Sequence, residues 1–160
     1  MSESQLLKYS QQSIGKGSKS FALASLIFGK DIKNGAHLLY CWCRYADDYI
    51  DHAPKGELHA RLKTLEEETK KALDGNPSNI FAFQALATIH KKYKFPAHYP
   101  LELIEGMKMD VLGHHYQNLE DLELYCYRVA STVGLIMCHI MGISDEKALK
   151  HASDLGMAMQ

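Results

Sequence analysis

Apolar residues recur along this chain at three- and four-residue intervals and almost never alternate, which is the period of helices rather than strands. The pattern predicts helices over 3–14, 18–28, 32–53, 57–74, 79–94, 101–115, 119–141 and 145–160. Gly29, Pro54, Gly75-Asn76-Pro77, Pro96 and Gly142 fall in the breaks between them. Asp31 and Ser144 are placed to cap the helices after them, and Asp145 with Glu146 supplies the negative charge that a helix N-terminus favours. The expectation is an all-α chain forming a single domain, with no internal repeat and no low-complexity linker.

One predicted helix breaks its own pattern. Leu38-Leu39-Tyr40-Cys41-Trp42-Cys43 runs into Arg44-Tyr45-Ala46-Asp47-Asp48-Tyr49-Ile50-Asp51, so three carboxylates sit in an otherwise apolar and aromatic stretch. Asp47 and Asp51 are four residues apart and leave the helix from one face, about 5–6 Å apart at Cβ. Arg44 lies one turn earlier and Tyr40 another turn back, making a stripe of Tyr40, Arg44, Asp47 or Asp48, and Asp51. Two readings of the stripe are open at this level. It is either solvated decoration, with Arg44 and Asp48 as an ordinary i,i+4 pair, or a site for a hard divalent cation. Mg²⁺ typically takes one or two carboxylates while substrate phosphates complete its shell. The apolar setting favours the second reading, because charge near apolar surface needs a partner.

The helix over 119–141 carries Tyr125, Val129, Thr132 or Val133, Ile136 and Ile140 along one face. Periodicity alone reads this as a core-facing stripe, and a wall of a long apolar cavity is the functional alternative. Gly134 in mid-helix costs about 1 kcal/mol relative to Ala and so asks for a packing or functional reason. Near the N-terminus, Gly15-Lys16-Gly17-Ser18-Lys19-Ser20-Phe21 opens a helix. An anion at its amides and a plain N-cap by Ser18 explain it about equally well.

Composition removes several classes of function. The net charge is −1 over 160 residues, with scattered lysines and no basic footprint for nucleic acid. Cys41 and Cys43 are two apart and point to different faces of a helix. That argues against a zinc site or disulfide and for reduced core thiols, with Cys126 and Cys138, in a cytosolic protein. No Glu-x-x-His or His-Glu-x-x-His occurs among the nine histidines, which read as solvated or internally satisfied. The polar stretch Met1–Gln12 is no secretory signal, and the apolar run Val133–Gly142 falls short of the roughly 20 residues that span a bilayer. A soluble, cytoplasmic chain is expected. Its last segment, Ser144–Gln160, is amphipathic through Leu149, Ala152, Leu155, Met157 and Met159 and ends without a Gly, Asn or Lys stop signal. The chain therefore reads as stopping in mid-helix, as a truncated gene or half-protein would.

Four stretches taken together resemble the squalene/phytoene synthase family, the trans-isoprenyl diphosphate synthases that join two prenyl chains head to head, on the side of its bacterial phytoene synthases. They are Gly17-Ser-Lys-Ser-Phe-Ala22, Leu39-Tyr-Cys-Trp-Cys-Arg-Tyr-Ala-Asp-Asp-Tyr-Ile-Asp51, Tyr125-Cys-Tyr-Arg-Val-Ala-Ser-Thr-Val-Gly-Leu135, and Met141-Gly-Ile-Ser-Asp-Glu146 running on to Gln160. Their order and spacing fit the family from about residue 15 to the end.

The resemblance implies the N-terminal portion of an all-α isoprenoid synthase fold around a deep apolar cavity capped by Mg²⁺ and diphosphate. Asp47 and Asp51 match its first aspartate-rich, magnesium-binding motif, with Asp48 the adjacent acid. Tyr40 and Arg44 match positions near the diphosphate. Ser18, Ser20 and Phe21 match a flap segment, and Tyr125, Val129, Gly134, Ala152 and Gln160 match the lining of the prenyl site. Ser131 stands where the family usually has Gly. The implied reaction condenses two geranylgeranyl diphosphates, through a cyclopropyl intermediate, to phytoene without nicotinamide. The alternatives are a squalene or dehydrosqualene synthase using farnesyl diphosphate, or a non-catalytic helical protein that binds prenyl lipid. The chemistry suits the residues: a departing diphosphate needs a cationic clamp, and the carbocation left behind needs a dry cavity. The family's second aspartate-rich motif is absent here, so the expectation is that the isolated chain is inactive or nearly so. Greasy substrates make peripheral membrane contact an expectation, and an open half-cavity favours self-association.

Overall fold

The computed structural model describes residues 3–160, and the side chains of Glu3, Lys16 and Gly17, the last two in the glycine-rich stretch named above, lie outside the description. The described residues form helices and no strand. They are α1 (Glu3–Gly17), α2 (Lys19–Ala24) running into a 3₁₀ turn (Ser25–Ile27), α3 (Lys30–Asp51), a 3₁₀ turn (Lys55–Glu57), α4 (Leu58–Leu73), α5 (Phe81–Tyr93), α6 (His98–Val111), α7 (Leu119–Cys126), a π turn (Tyr127–Ser131), α8 (Thr132–Ile140) and α9 (Glu146–Met159).

Helix α3 is the centre of the fold. Its apolar face, Leu38, Leu39, Trp42, Ala46 and Ile50, is buried against α1, α4, α5, α6 and α8. Phe83, Leu86 and Ile89 of α5, Leu65 of α4, and Leu103 and Ile104 of α6 complete one continuous core. Fully burying side chains of this size contributes about 1.5–3 kcal/mol each. With that face committed to the core, the stripe Tyr40, Arg44, Asp47 and Asp51 is left facing outward along the opposite side of the same helix.

Several expected boundaries move, each for a local reason. Asp31 does not cap α3. Gly29 takes the cap position, and Asp31, inside the first turn, binds Lys92 and accepts hydrogen bonds from the Tyr93 hydroxyl, pinning α3 to the end of α5. Asp145, not Ser144, caps α9, its carboxylate accepting from the Ala148 amide at 3.0 Å. Helix α6 begins at His98 rather than after Pro100, because proline in the first turn has no intrahelical partner to lose. The predicted helix 18–28 tightens into the 3₁₀ turn after Ala24. Ser18 caps α2 by accepting from the Phe21 amide.

The predicted helix 119–141 is continuous but contains the π turn, one residue of extra winding that rotates α8 relative to α7. Tyr125 and Val129 therefore face one way, while Thr132, Ile136 and Ile140 turn into the core. Two glycines make room for the turn. A Cβ on Gly106 would stand 2.6 Å from Val129 Cγ1, and one on Gly156 would stand 2.7 Å from Ser131 Cα. Only hydrogen fits at either place, so α6 and α9 close on the π turn from both sides. Ser131, where the resemblance implied glycine, donates from Oγ to the Ser153 carbonyl of α9 at 2.6 Å. All four cysteines are free thiols, Cys41 and Cys138 buried and Cys43 and Cys126 partly so.

Candidate functional site

A cleft of about 310 Å³ opens where the outward stripe of α3 meets α6, the start of the π turn and the end of α9. Asp47, Ile50 and Asp51 of α3 form one wall, and Leu103, Met107 and Asp110 of α6 form the second. Tyr125, Val129 and Gln160 close it. Acids and amide stand at its rim, with Leu103, Met107 and Val129 as its apolar lining. A larger hollow of about 470 Å³ between α1, α4 and α5 holds none of the residues singled out from the sequence.

The three acids at the C-terminal end of α3 have separate fates. Arg44 reaches one turn down the helix and grips Asp48 with both arms of its guanidinium, Nε to Oδ2 at 3.0 Å and a terminal nitrogen to Oδ1 at 2.8 Å. The pair is exposed and stabilises the fold by no more than a few tenths of a kcal/mol. Its effect is selective: Asp48 is held by Arg44, and Asp47 and Asp51 are left to face the cleft. The Asp47 carboxyl is open to the cleft yet walled by protein, and its proton affinity is raised above the ordinary carboxylate value. Burial is the largest cause and repulsion from Asp51 the next, with Arg44 opposing both. A divalent cation between the two carboxylates would relieve that repulsion. Two hard oxygen donors on one helix face suit a hard divalent cation that takes its remaining ligands from elsewhere. Among the described residues no group of three or more His, Cys, Asp or Glu side chains is placed to hold a metal ion.

Across the cleft, the Tyr125 hydroxyl donates to Asp110 Oδ2 at 2.9 Å. Burial, and then this bond, push the Tyr125 phenol up to about 12, so it remains a proton donor at neutral pH. Its ring packs on Tyr116 with centroids 5.3 Å apart. Asp110 escaped the sequence reading. The signal was there: Leu103, Met107 and Asp110 follow helical spacing, so Asp110 is a carboxylate at the end of an apolar stripe, as Asp47 is on α3.

Of the residues named from the sequence, Asp47, Asp51, Tyr125, Val129 and Gln160 meet in the cleft. Tyr40 lies further along α3, its ring stacked on Phe21 at 5.8 Å, and burial raises its phenol above the ordinary value. Ser18 is engaged as the α2 cap and Ser20 is exposed. Gly134 and Ala152 belong to a different contact, the packing of α8 on α9, where a Cβ at Gly134 would lie 3.8 Å from the Ala152 carbonyl.

The squalene/phytoene synthase family model matches residues 14–160. A 15-cis-phytoene synthase of Paracoccus sp. is 38% identical over 98% of this chain and 54% of its own length. Another, from Pantoea ananas, is 36% identical over 100% of this chain and 55% of its own. Among solved structures, a ligand-bound dehydrosqualene synthase superposes with a TM-score of 0.84 at 29% identity, covering 98% of this chain and 54% of that one. A squalene synthase from Alicyclobacillus acidocaldarius gives a TM-score of 0.86 at 27% identity over 96% and 58%. The chain thus spans about half the length of the curated relatives it matches.

Proposed function

We propose that this chain, which belongs to the squalene/phytoene synthase family, carries one jaw of a prenyl diphosphate site. The reaction we assign to the complete site is the head-to-head condensation of two geranylgeranyl diphosphates to phytoene. The observation that carries the proposal is the meeting of Asp47, Asp51, Tyr125, Val129 and Gln160, far apart in sequence, in one cleft.

In this reading, bound Mg²⁺ would supply Lewis-acid stabilisation to the departing diphosphate. Asp47 and Asp51 hold it from the α3 side, and Arg44, locked to Asp48, adds positive charge one turn away. Asp110 accepts the Tyr125 hydroxyl proton and so fixes the phenol at the opposite rim of the cleft. Leu103, Met107 and Val129 exclude water from the prenyl chain near its reacting carbon. The relatives named as phytoene synthases, at 36–38% identity, weigh toward the longer prenyl substrate over farnesyl diphosphate. Exposed Leu23, Leu26 and Ile27 on one edge and Leu119, Leu155 and Met159 on another support peripheral membrane contact and self-association as parts of the same proposal. Among the described residues no helix is long and apolar enough to cross a membrane.

The metal-facing carboxylates of the cleft, Asp47 and Asp51, come from α3 alone, so residues 1–160 are expected to bind substrate with Mg²⁺ and to turn it over little. Incubation with geranylgeranyl diphosphate and Mg²⁺, with phytoene and released diphosphate both measured, is the test. Magnesium-dependent binding without turnover is the expected result. Robust phytoene formation would overturn the half-site, and absence of magnesium-dependent binding would overturn the role given to α3.

A further inference from the structure

The segment 18–28 rides on the surface with almost nothing underneath it. None of the residues of α2 is buried, and in the 3₁₀ turn after it only Ser25 is. Ser25 is 1% exposed and meets an equally hidden partner, His37 of α3, 3% exposed, with Oγ and Nε2 2.9 Å apart. The direction of this bond follows from proton counting. A hydroxyl has one proton, and Ser25 directs it to the Ala22 carbonyl at 2.7 Å. His37 must therefore donate from Nε2–H. Its other ring nitrogen, Nδ1, is buried with no partner. Burial, helped by nearby Lys33, holds the ring in its neutral form.

The pair is one rung of a ladder. Phe21 and Ser25 are four apart on the segment, and His37 and Tyr40 are three apart on α3, so each couple shares a face. Phe21 stacks on Tyr40 while Ser25 bonds His37, which sets the two strands of the ladder antiparallel. Continued one turn, the same register carries the segment back to Ser18 and α3 forward to Arg44, toward the acid-lined cleft. The aromatic rung is half open to solvent, whereas the polar rung is the only buried attachment within residues 18–28.

We propose that His37 is a positioning residue: its Nε2–H latches Ser25 and so fixes the register in which Ser18 and Phe21 lie along α3 at the diphosphate end of the site. A packing residue at this place would keep the segment covered but would leave it free to slide. The donor makes one register unique, because any slip strands two buried polar atoms. The part of this inference that concerns ligand rests on the function proposed above; the latch itself does not.

The experiment uses the 160-residue chain and three variants, His37→Leu, His37→Gln and Ser25→Ala. Amide hydrogen exchange is read over 19–28 and, as the folding control, over α5, alongside affinity for geranylgeranyl diphosphate with Mg²⁺. His37→Leu and Ser25→Ala should speed exchange over 19–28 by roughly five- to tenfold, the range one net hydrogen bond sustains, with α5 unchanged. His37→Gln, whose amide nitrogen can replace Nε2–H, should stay within about twofold of the parent. Affinity should fall in the first two variants and recover in the third. Unchanged exchange in Ser25→Ala, or a His37→Gln variant as loose as His37→Leu, overturns the latch. Faster exchange with undiminished affinity overturns the positioning role. A parent chain that binds no prenyl diphosphate refutes the proposed function instead, and the exchange arm still decides the latch.

Discussion

The two halves of the cleft stand on very different ground. The α3 wall is backed by the densest part of the molecule: α5 alone hides Ala82, Phe83, Ala85, Leu86 and Ile89 beneath it. The far wall takes Tyr125 and Gln160 from the edge formed by α7 and α9, neither of which buries a single residue. Asp47 and Asp51 are thus held by the core, whereas Gln160 depends on a glycine-mediated contact and one hydrogen bond from Ser131 to α9, and Tyr125 on its bond to Asp110 and its packing on Tyr116. A site built this way presents its acids in a set geometry and leaves the opposing rim to be ordered by whatever it binds.

The comparison breaks most easily in the core. Leu86→Ala should lose about 2–5 kcal/mol in urea unfolding, the range for a fully buried leucine. Leu155→Ala on α9, where the side chain is 61% exposed, should stay within about 0.5 kcal/mol. Comparable losses would erase the distinction between the regions. Next in size is ligand linkage. Mg²⁺ with geranylgeranyl diphosphate at a hundredfold excess over its dissociation constant should stabilise the chain by about 2.7 kcal/mol. Asp47→Asn should remove most of that thermal shift, and a full shift in the variant would detach the metal from α3. Gly156→Ala comes third. Its methyl would meet Ser131 Cα at 2.7 Å, so a cost of about 1–3 kcal/mol is expected. Faster amide exchange should be confined to α9, and a rise in α5 as well would show that edge and core unfold together.

The smallest effect concerns Asp47 itself. Burial and then Asp51 raise its carboxyl, so between the ordinary and the raised values the folded chain holds a proton that the unfolded chain has released. This group's contribution to stability therefore falls as pH rises through that window. Asp47→Asn should stabilise the metal-free chain at pH 7 by a few tenths of a kcal/mol, about 0.5 at most for a carboxylate this open to water. The gain should vanish below the ordinary value of 3.8, where both forms are neutral. A variant less stable than the parent at pH 7 would mean that Asp47 is satisfied without metal.

Much of this was legible along the chain because helices are local. The 3.6-residue period exposed the core face of α3 and the acid stripe behind it, and the breaks fell near the glycines and prolines that interrupt the pattern. The errors have both tertiary and local causes. Asp31 left its capping role because Lys92 and Tyr93 arrive from α5. Ser144 yielded to its neighbour because Asp145 has the carboxylate in reach of the Ala148 amide. His37, read as one more satisfied histidine, has a bond to a segment twelve residues away and an unpartnered nitrogen.

Backbone period and side-chain polarity, both readable from the order of residues, are enough to make this chain all-α and to put Asp47 and Asp51 on a single face of one helix. They are not enough to say that the π turn swings Tyr125 and Val129 toward α3, or that Asp110 faces them from α6. Those outcomes came from packing, because they depend on how helices rotate about their own axes and how closely they approach. Rotation and approach are set by what fits between two packed surfaces, at Gly106 and Gly156 by the absence of a single methyl group, and no single helix carries that information alone.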